Sequence, residues 1–135
     1  MTKRIENQYE LTKKQAEKAE KFFEDDESLP EALLNTFTLM ENCANIIKDI
    51  YNHFPKTSHP GVNLVLKDMF RRKILKQDYS VFHKQLNDYR SKAFFGEYSR
   101  EKKVLPPKPS LKIYLKKAKG LFNETKKIVE GHLKK

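Results

Sequence analysis

With 135 residues, 34% of them charged and 38% hydrophobic, the chain is sized for one domain around one modest core. Its single cysteine, Cys43, excludes an internal disulfide, and no run of about 18 apolar residues is available to span a membrane. The formal net charge is +10, and it is unevenly placed: residues 100–135 hold twelve Lys/Arg against three Glu, whereas residues 1–99 hold sixteen Lys/Arg against fifteen Asp/Glu. Such asymmetry calls for a polyanionic or acidic partner.

Strand-like alternation is missing, and apolar residues recur at helical spacing, so the expected class is all-α. The first ten residues, MTKRIENQYE, contain no apolar stretch. No signal peptide is therefore expected, and the chain reads as cytoplasmic. Residues 1–8 read as a flexible lead-in to a single domain spanning 1–135.

A first helix is expected over Tyr9 to Glu24, with Thr12, Ala16, Ala19 and Phe22/Phe23 inside, and the acidic run 24-EDDE-27 ends it. Ser28-Leu29-Pro30-Glu31 fits a capping box for the second helix, with the Ser28 hydroxyl accepting an amide and Glu31 reaching back. Leu33, Phe37, Met40, Ala44, Ile47, Ile50/Tyr51 and Phe54 make the longest apolar run, which marks a central helix closed by Pro55. Cys43 sits within that pattern as a small buried residue.

A turn-rich connection, 55-PKTSHPGV-62, leads to a short helix over Asn63 to Ile74. Val62, Leu66, Met69 and Phe70 are expected inside, and Arg71, Arg72 and Lys73 outside. Asp78 is placed to cap a fourth helix, Tyr79 to Phe94, whose stripe is Tyr79, Phe82, Leu86, Tyr89 and Ala93. The prolines of 106-PPKP-109 force an extended connection. Ser110 then starts the last helix, with Leu111, Tyr114/Leu115, Ala118, Leu121/Phe122, Thr125 and Ile128/Val129 on one face. At about 100° per residue, Lys112, Lys116, Lys119, Lys126 and Lys127 gather on another face with Asn123. The expected architecture is an antiparallel up-and-down bundle of four long helices plus one short helix.

Three segments, in order, carry a family resemblance. These are 31-EALLNTFTLMENCANIIKDIY-51, 58-SHPGVNLVLKDMFRRKILKQD-78 and 89-YRSKAFFGEY-98. The last is similar to the Arg-x-Lys-Ala-x-Tyr/Phe-Gly signature of one subgroup of the HEPN domain family, helical proteins that accompany small nucleotidyltransferases in bacteria and archaea. The resemblance covers most of the chain. It implies a homodimer with the arginine-bearing helix near a shared cleft, a small nucleotidyltransferase as partner, RNA or nucleotide as ligand, and a setting akin to toxin–antitoxin or other nucleotide-related systems.

Many HEPN proteins are metal-independent ribonucleases that use an arginine and, a short way beyond it, a histidine. The histidine moves protons and the arginine holds phosphate. Here Arg90 is present, but Phe95, Gly96 and Glu97 occupy the positions where the histidine would stand. No catalytic residue and no cofactor is therefore expected. His83 lies two turns before Arg90, about 10 Å along the axis, too far for both to grip one phosphate directly. It is carried as a candidate RNA- or nucleotide-binding residue, but its first reading is a surface or partly buried histidine.

His53 and His132 fall near helix C-termini, His59 follows a loop serine, and no metal-ligand spacing joins any of them. Arg90 either braces the bundle or binds at a groove or dimer interface. Tyr98 and Arg100 are candidates to frame a nucleotide by stacking and charge. Lys112, Lys116, Lys119 and Lys126 are either a solvated helix face or a row of phosphate contacts whose binding weakens with salt. Three functional readings follow: a non-catalytic HEPN-like binding module, a ribonuclease toxin with altered chemistry, and a protein-interaction module that uses its basic last helix.

Overall fold

The apolar stripes of the sequence become buried faces of five α-helices in a computed structural model, which describes residues 2–51, 59–92 and 106–134. The helices are α1 (Thr2–Phe23), α2 (Leu29–Tyr51), α3 (His59–Arg71), α4 (Ser80–Arg90) and α5 (Lys108–Leu133), with one 3-10 turn at Asp26–Ser28. Among the described residues there is no strand, so the protein is all-α. None of its described helices is long and apolar enough to cross a membrane.

Helix α2 is the centre. Leu33, Phe37, Met40, Ala44 and Ile47 are buried as their spacing predicts, and so are Ala32, Thr36, Leu39, Cys43 and Ile46 on the flanking rows. A helix buried over so wide an arc must have neighbours on several sides, and α2 packs against α1, α3, α4 and α5. The hydroxyls of buried Thr36 and Thr125 donate to the carbonyls of Ala32 and Leu121 one turn earlier, at 2.7 and 2.8 Å, so neither is left unsatisfied.

Cross-helix contacts fix directions. Arg4 pairs with Asp49 at 3.5 Å while Gln15 bonds Asn35, so α1 and α2 run oppositely. Ile5 packs with Val129 while Glu20 pairs with Lys119, so α1 and α5 also run oppositely. Tyr79, just before α4, reaches Glu124, while Gln85 accepts a hydrogen bond from the Tyr114 hydroxyl at 3.1 Å. Helices α4 and α5 therefore oppose each other too.

The structure corrects several expectations. Helix α1 begins at Thr2, ahead of the expected Tyr9, and Ile5 near its start is fully buried against Ile46 and Val129. The capping box at Ser28 does not form. Asp25 instead accepts the Glu27 amide and the Ser28 hydroxyl, both at 3.0 Å, and the 3-10 turn feeds directly into α2.

Helix α3 starts at His59, inside the expected turn, and ends at Arg71. Its end is closed by Lys73 at φ 62°, with Lys73 N–H donating to Phe70 O at 3.0 Å and Ile74 N–H to Met69 O at 2.9 Å, the bond pattern of a Schellman cap. Val62, Leu66 and Met69 are inside, joined by Val65, but Phe70 is 40% exposed. Asp78 accepts the Ser80 amide at 3.0 Å at the start of α4, as expected. Helix α4 covers Ser80–Arg90, and helical geometry continues as a π turn through Ser91 and Lys92, the last described residues of that segment. Ala93 and Phe94, at the end of the expected stripe, lie outside the described residues, as do His53, Phe54 and Pro55. Helix α5 starts at Lys108, ahead of Ser110, with Pro109 in its first turn, where an amide has no helical partner to lose.

Candidate functional site

Two places gather the residues singled out from the sequence. The first is a groove of about 520 Å³ between the end of α1 and the first half of α5. Lys112, Lys116, Lys119 and Asn123 recur at helical pitch along α5 and form one wall, Glu20 of α1 and Glu24 just after it stand opposite, and Phe23, Leu115 and Gly120 supply the floor. Lys119 is ion-paired with Glu20 across the groove. At its head, the Lys108 ammonium lies 5.4 Å from the centroid of Phe23 and pairs with Asp26. The groove thus combines an apolar floor with a few convergent charges, the usual composition of a ligand pocket. Lys126 is exposed and continues the basic stripe, but it does not line the groove.

The second place is a polar cluster under α4. His83 is buried, which corrects the surface or partly buried position expected for it. Its Nε2 lies 3.1 Å from Glu41 Oε2, and its Nδ1 3.2 Å from Asn63 Nδ2. Asn63 Nδ2 also donates to the Ser80 carbonyl at 2.8 Å. Only an NH₂ group can donate to that carbonyl, so the same NH₂ faces His83 Nδ1, which must accept; the ring proton then sits on Nε2 and is donated to Glu41.

The His83 ring stacks on Phe37 at 5.1 Å, and the Arg90 guanidinium lies 4.8 Å from the centroid of the same Phe37. Arg90 Nη2 donates to Asn87 Oδ1 at 3.0 Å. Two helical turns separate His83 and Arg90 along α4, yet Phe37 joins them through their side chains. His83 presents no surface to a ligand, whereas Arg90 is partly exposed.

The remaining titratable groups follow from burial. The Cys43 thiol is pushed up to about 12, chiefly by burial, with a hydrogen bond to Thr125 pulling the other way. The Tyr79 phenol is also raised, by burial first and then by its hydrogen bond to Glu124. Glu124 in turn accepts the Lys76 amide at 2.7 Å and so ties the α3–α4 connection to α5. Among the described residues, no three His, Cys, Asp or Glu side chains converge to hold a metal ion.

Tyr98 and Arg100 lie outside the described residues. Sequence reasoning missed Phe23, Glu20 and Glu24 as partners of the lysine stripe. It also missed Glu41 and Asn63 as partners of His83. The signal for Glu41 was present: a lone carboxylate beside the apolar stripe, one turn beyond Phe37. No family model, curated protein or solved structure matches the chain.

Proposed function

We propose that the protein is a non-catalytic, HEPN-like helical module that acts by binding the phosphates of RNA or nucleotides through the basic face of α5. The observation that carries this reading is the convergence of Lys112, Lys116 and Lys119 on one groove with an apolar floor. Lysines at helical pitch neutralise phosphates with little regard to sequence, and their binding weakens as salt rises. Lys126 and Lys127 extend the same stripe beyond the groove.

In this reading α1, α2, α4 and α5 form an antiparallel up-and-down bundle, with α3 as the short fifth helix. The opposed registers of α1 with α2, α1 with α5, and α4 with α5 support that arrangement. The module pairs with a second copy of itself and with a small nucleotidyltransferase, as its resemblance to HEPN domains implies. Its setting is a toxin–antitoxin-like or nucleotide-related system within the cytoplasm.

A ribonuclease reading has less support. No histidine follows Arg90 at the spacing that the chemistry uses, and His83 is occupied by Glu41 and Asn63. The test is a titration of labelled RNA at two salt concentrations with chelator present, using wild type, Arg90→Ala and a Lys112→Ala/Lys116→Ala/Lys119→Ala variant. Salt-sensitive binding without cleavage, weakened in the triple variant, supports the proposal. RNA cleavage lost in Arg90→Ala overturns it.

A further inference from the structure

We infer that the α1–α5 groove is a pocket for a single nucleoside monophosphate whose base carries an exocyclic amino group, with phosphate on Lys112 and Lys116 and the base on Phe23 and Leu115 beside Glu24. This deepens the phosphate-binding reading of α5 and rests on it. No residue of α4 lines this groove, whereas the family resemblance points to Arg90.

At about 520 Å³ the groove falls within the roughly 300–1,000 Å³ of small-molecule pockets. A bare row of lysines on a solvated helix has no such floor. The charges on its basic wall are not equivalent. Lys119 is held by Glu20, whereas Lys112 and Lys116 make no ion pair among the described residues. They stand four residues apart, about 6 Å along the helix, close enough to share one phosphate group.

On the opposite wall, Glu24 is exposed, lines the groove and forms no side-chain bond among the described residues. A carboxylate only accepts hydrogen bonds at neutral pH, so it favours a base edge that donates. Adenine offers such a donor in its amino group, whereas uracil presents carbonyl oxygens in the corresponding place. A carboxylate on the far wall also repels a second phosphate, which favours one nucleotide over a chain running the length of the groove.

The experiment titrates AMP and UMP into the full chain by heteronuclear NMR, alongside an RNA titration at low salt. Wild type is compared with Asn123→Trp, which fills the groove from an exposed position, and with Glu24→Gln. Both substitutions lie on the surface, and unchanged thermal midpoints establish that the variants are folded. AMP is expected to bind wild type, to bind Asn123→Trp about tenfold more weakly or worse, and to lose its preference over UMP in Glu24→Gln. RNA binding without AMP binding, or AMP binding untouched by Asn123→Trp, overturns the pocket and leaves the phosphate-binding face of α5 standing. Failure of both RNA and AMP to bind overturns the two together.

Discussion

At the scale of single residues, the most constrained side chain is His83. Every polar atom of its ring is engaged, by Glu41 on α2 and by Asn63 on α3, and its face is covered by Phe37. Three helices therefore meet on one imidazole. Asn63→Asp keeps the shape but replaces the donor with a carboxylate, which cannot donate to Ser80 O and faces the Nδ1 lone pair. It should cost about 1–3 kcal/mol, read from urea unfolding, because both acceptors lose their partner. A neutral result would mean that the Asn63 contacts are incidental.

Alkaline titration supplies a second residue-level test. The Cys43 thiol moves from 9.0 to about 12 on folding, and the Tyr79 phenol moves up from 10.0 as well. The folded state thus binds protons that the unfolded chain releases first. Stability from these groups is complete below about pH 9 and is lost as pH rises from there towards about 12. The thermal midpoint should fall across that window and stay flat with respect to these two groups below it.

At the scale of elements, the informative departures from sequence expectation are at helix ends. Periodicity made α2 and α5 legible, because each carries an apolar face at least five turns long that admits one orientation towards a core. The start of α1 was not legible. Ile5 is an isolated apolar residue among charged neighbours, and only its contact with Ile46 and Val129, distant in sequence, makes it core. Ile5→Ala should accordingly cost about 2–5 kcal/mol, as a buried isoleucine does. A loss within a few tenths of a kcal/mol would return residues 2–8 to the status of a frayed end.

The capping box failed for a related reason. Ser28 has the right spacing to Glu31, but Asp25 three residues earlier competes for its hydroxyl and wins. Capping patterns are short, and neighbouring Asp residues offer equivalent oxygens.

At the scale of the whole molecule, the candidate site was half legible. One helix face can be drawn from its sequence, so Lys112, Lys116 and Lys119 group together on helical periodicity alone. Their partners do not, since Phe23, Glu20 and Glu24 come from the far end of the antiparallel neighbour and nothing local marks that register. The same limit hid Glu41 and Asn63 from His83. What emerges is a molecule with two polar regions of different character: a cluster around the buried His83 that joins three helices, and an open basic groove on α5.

The central claim, that α5 binds phosphate, is tested most directly by the salt dependence of RNA affinity in wild type and in the Lys112→Ala/Lys116→Ala/Lys119→Ala variant. Measurable binding is expected at low salt, with a steep loss as salt rises. The log–log slope should be shallower by about 1.4 in the variant, roughly 0.7 for each of the two phosphate contacts of Lys112 and Lys116 removed from a single strand. No affinity at low salt, or a slope and affinity unchanged by removing the three lysines, would contradict the claim.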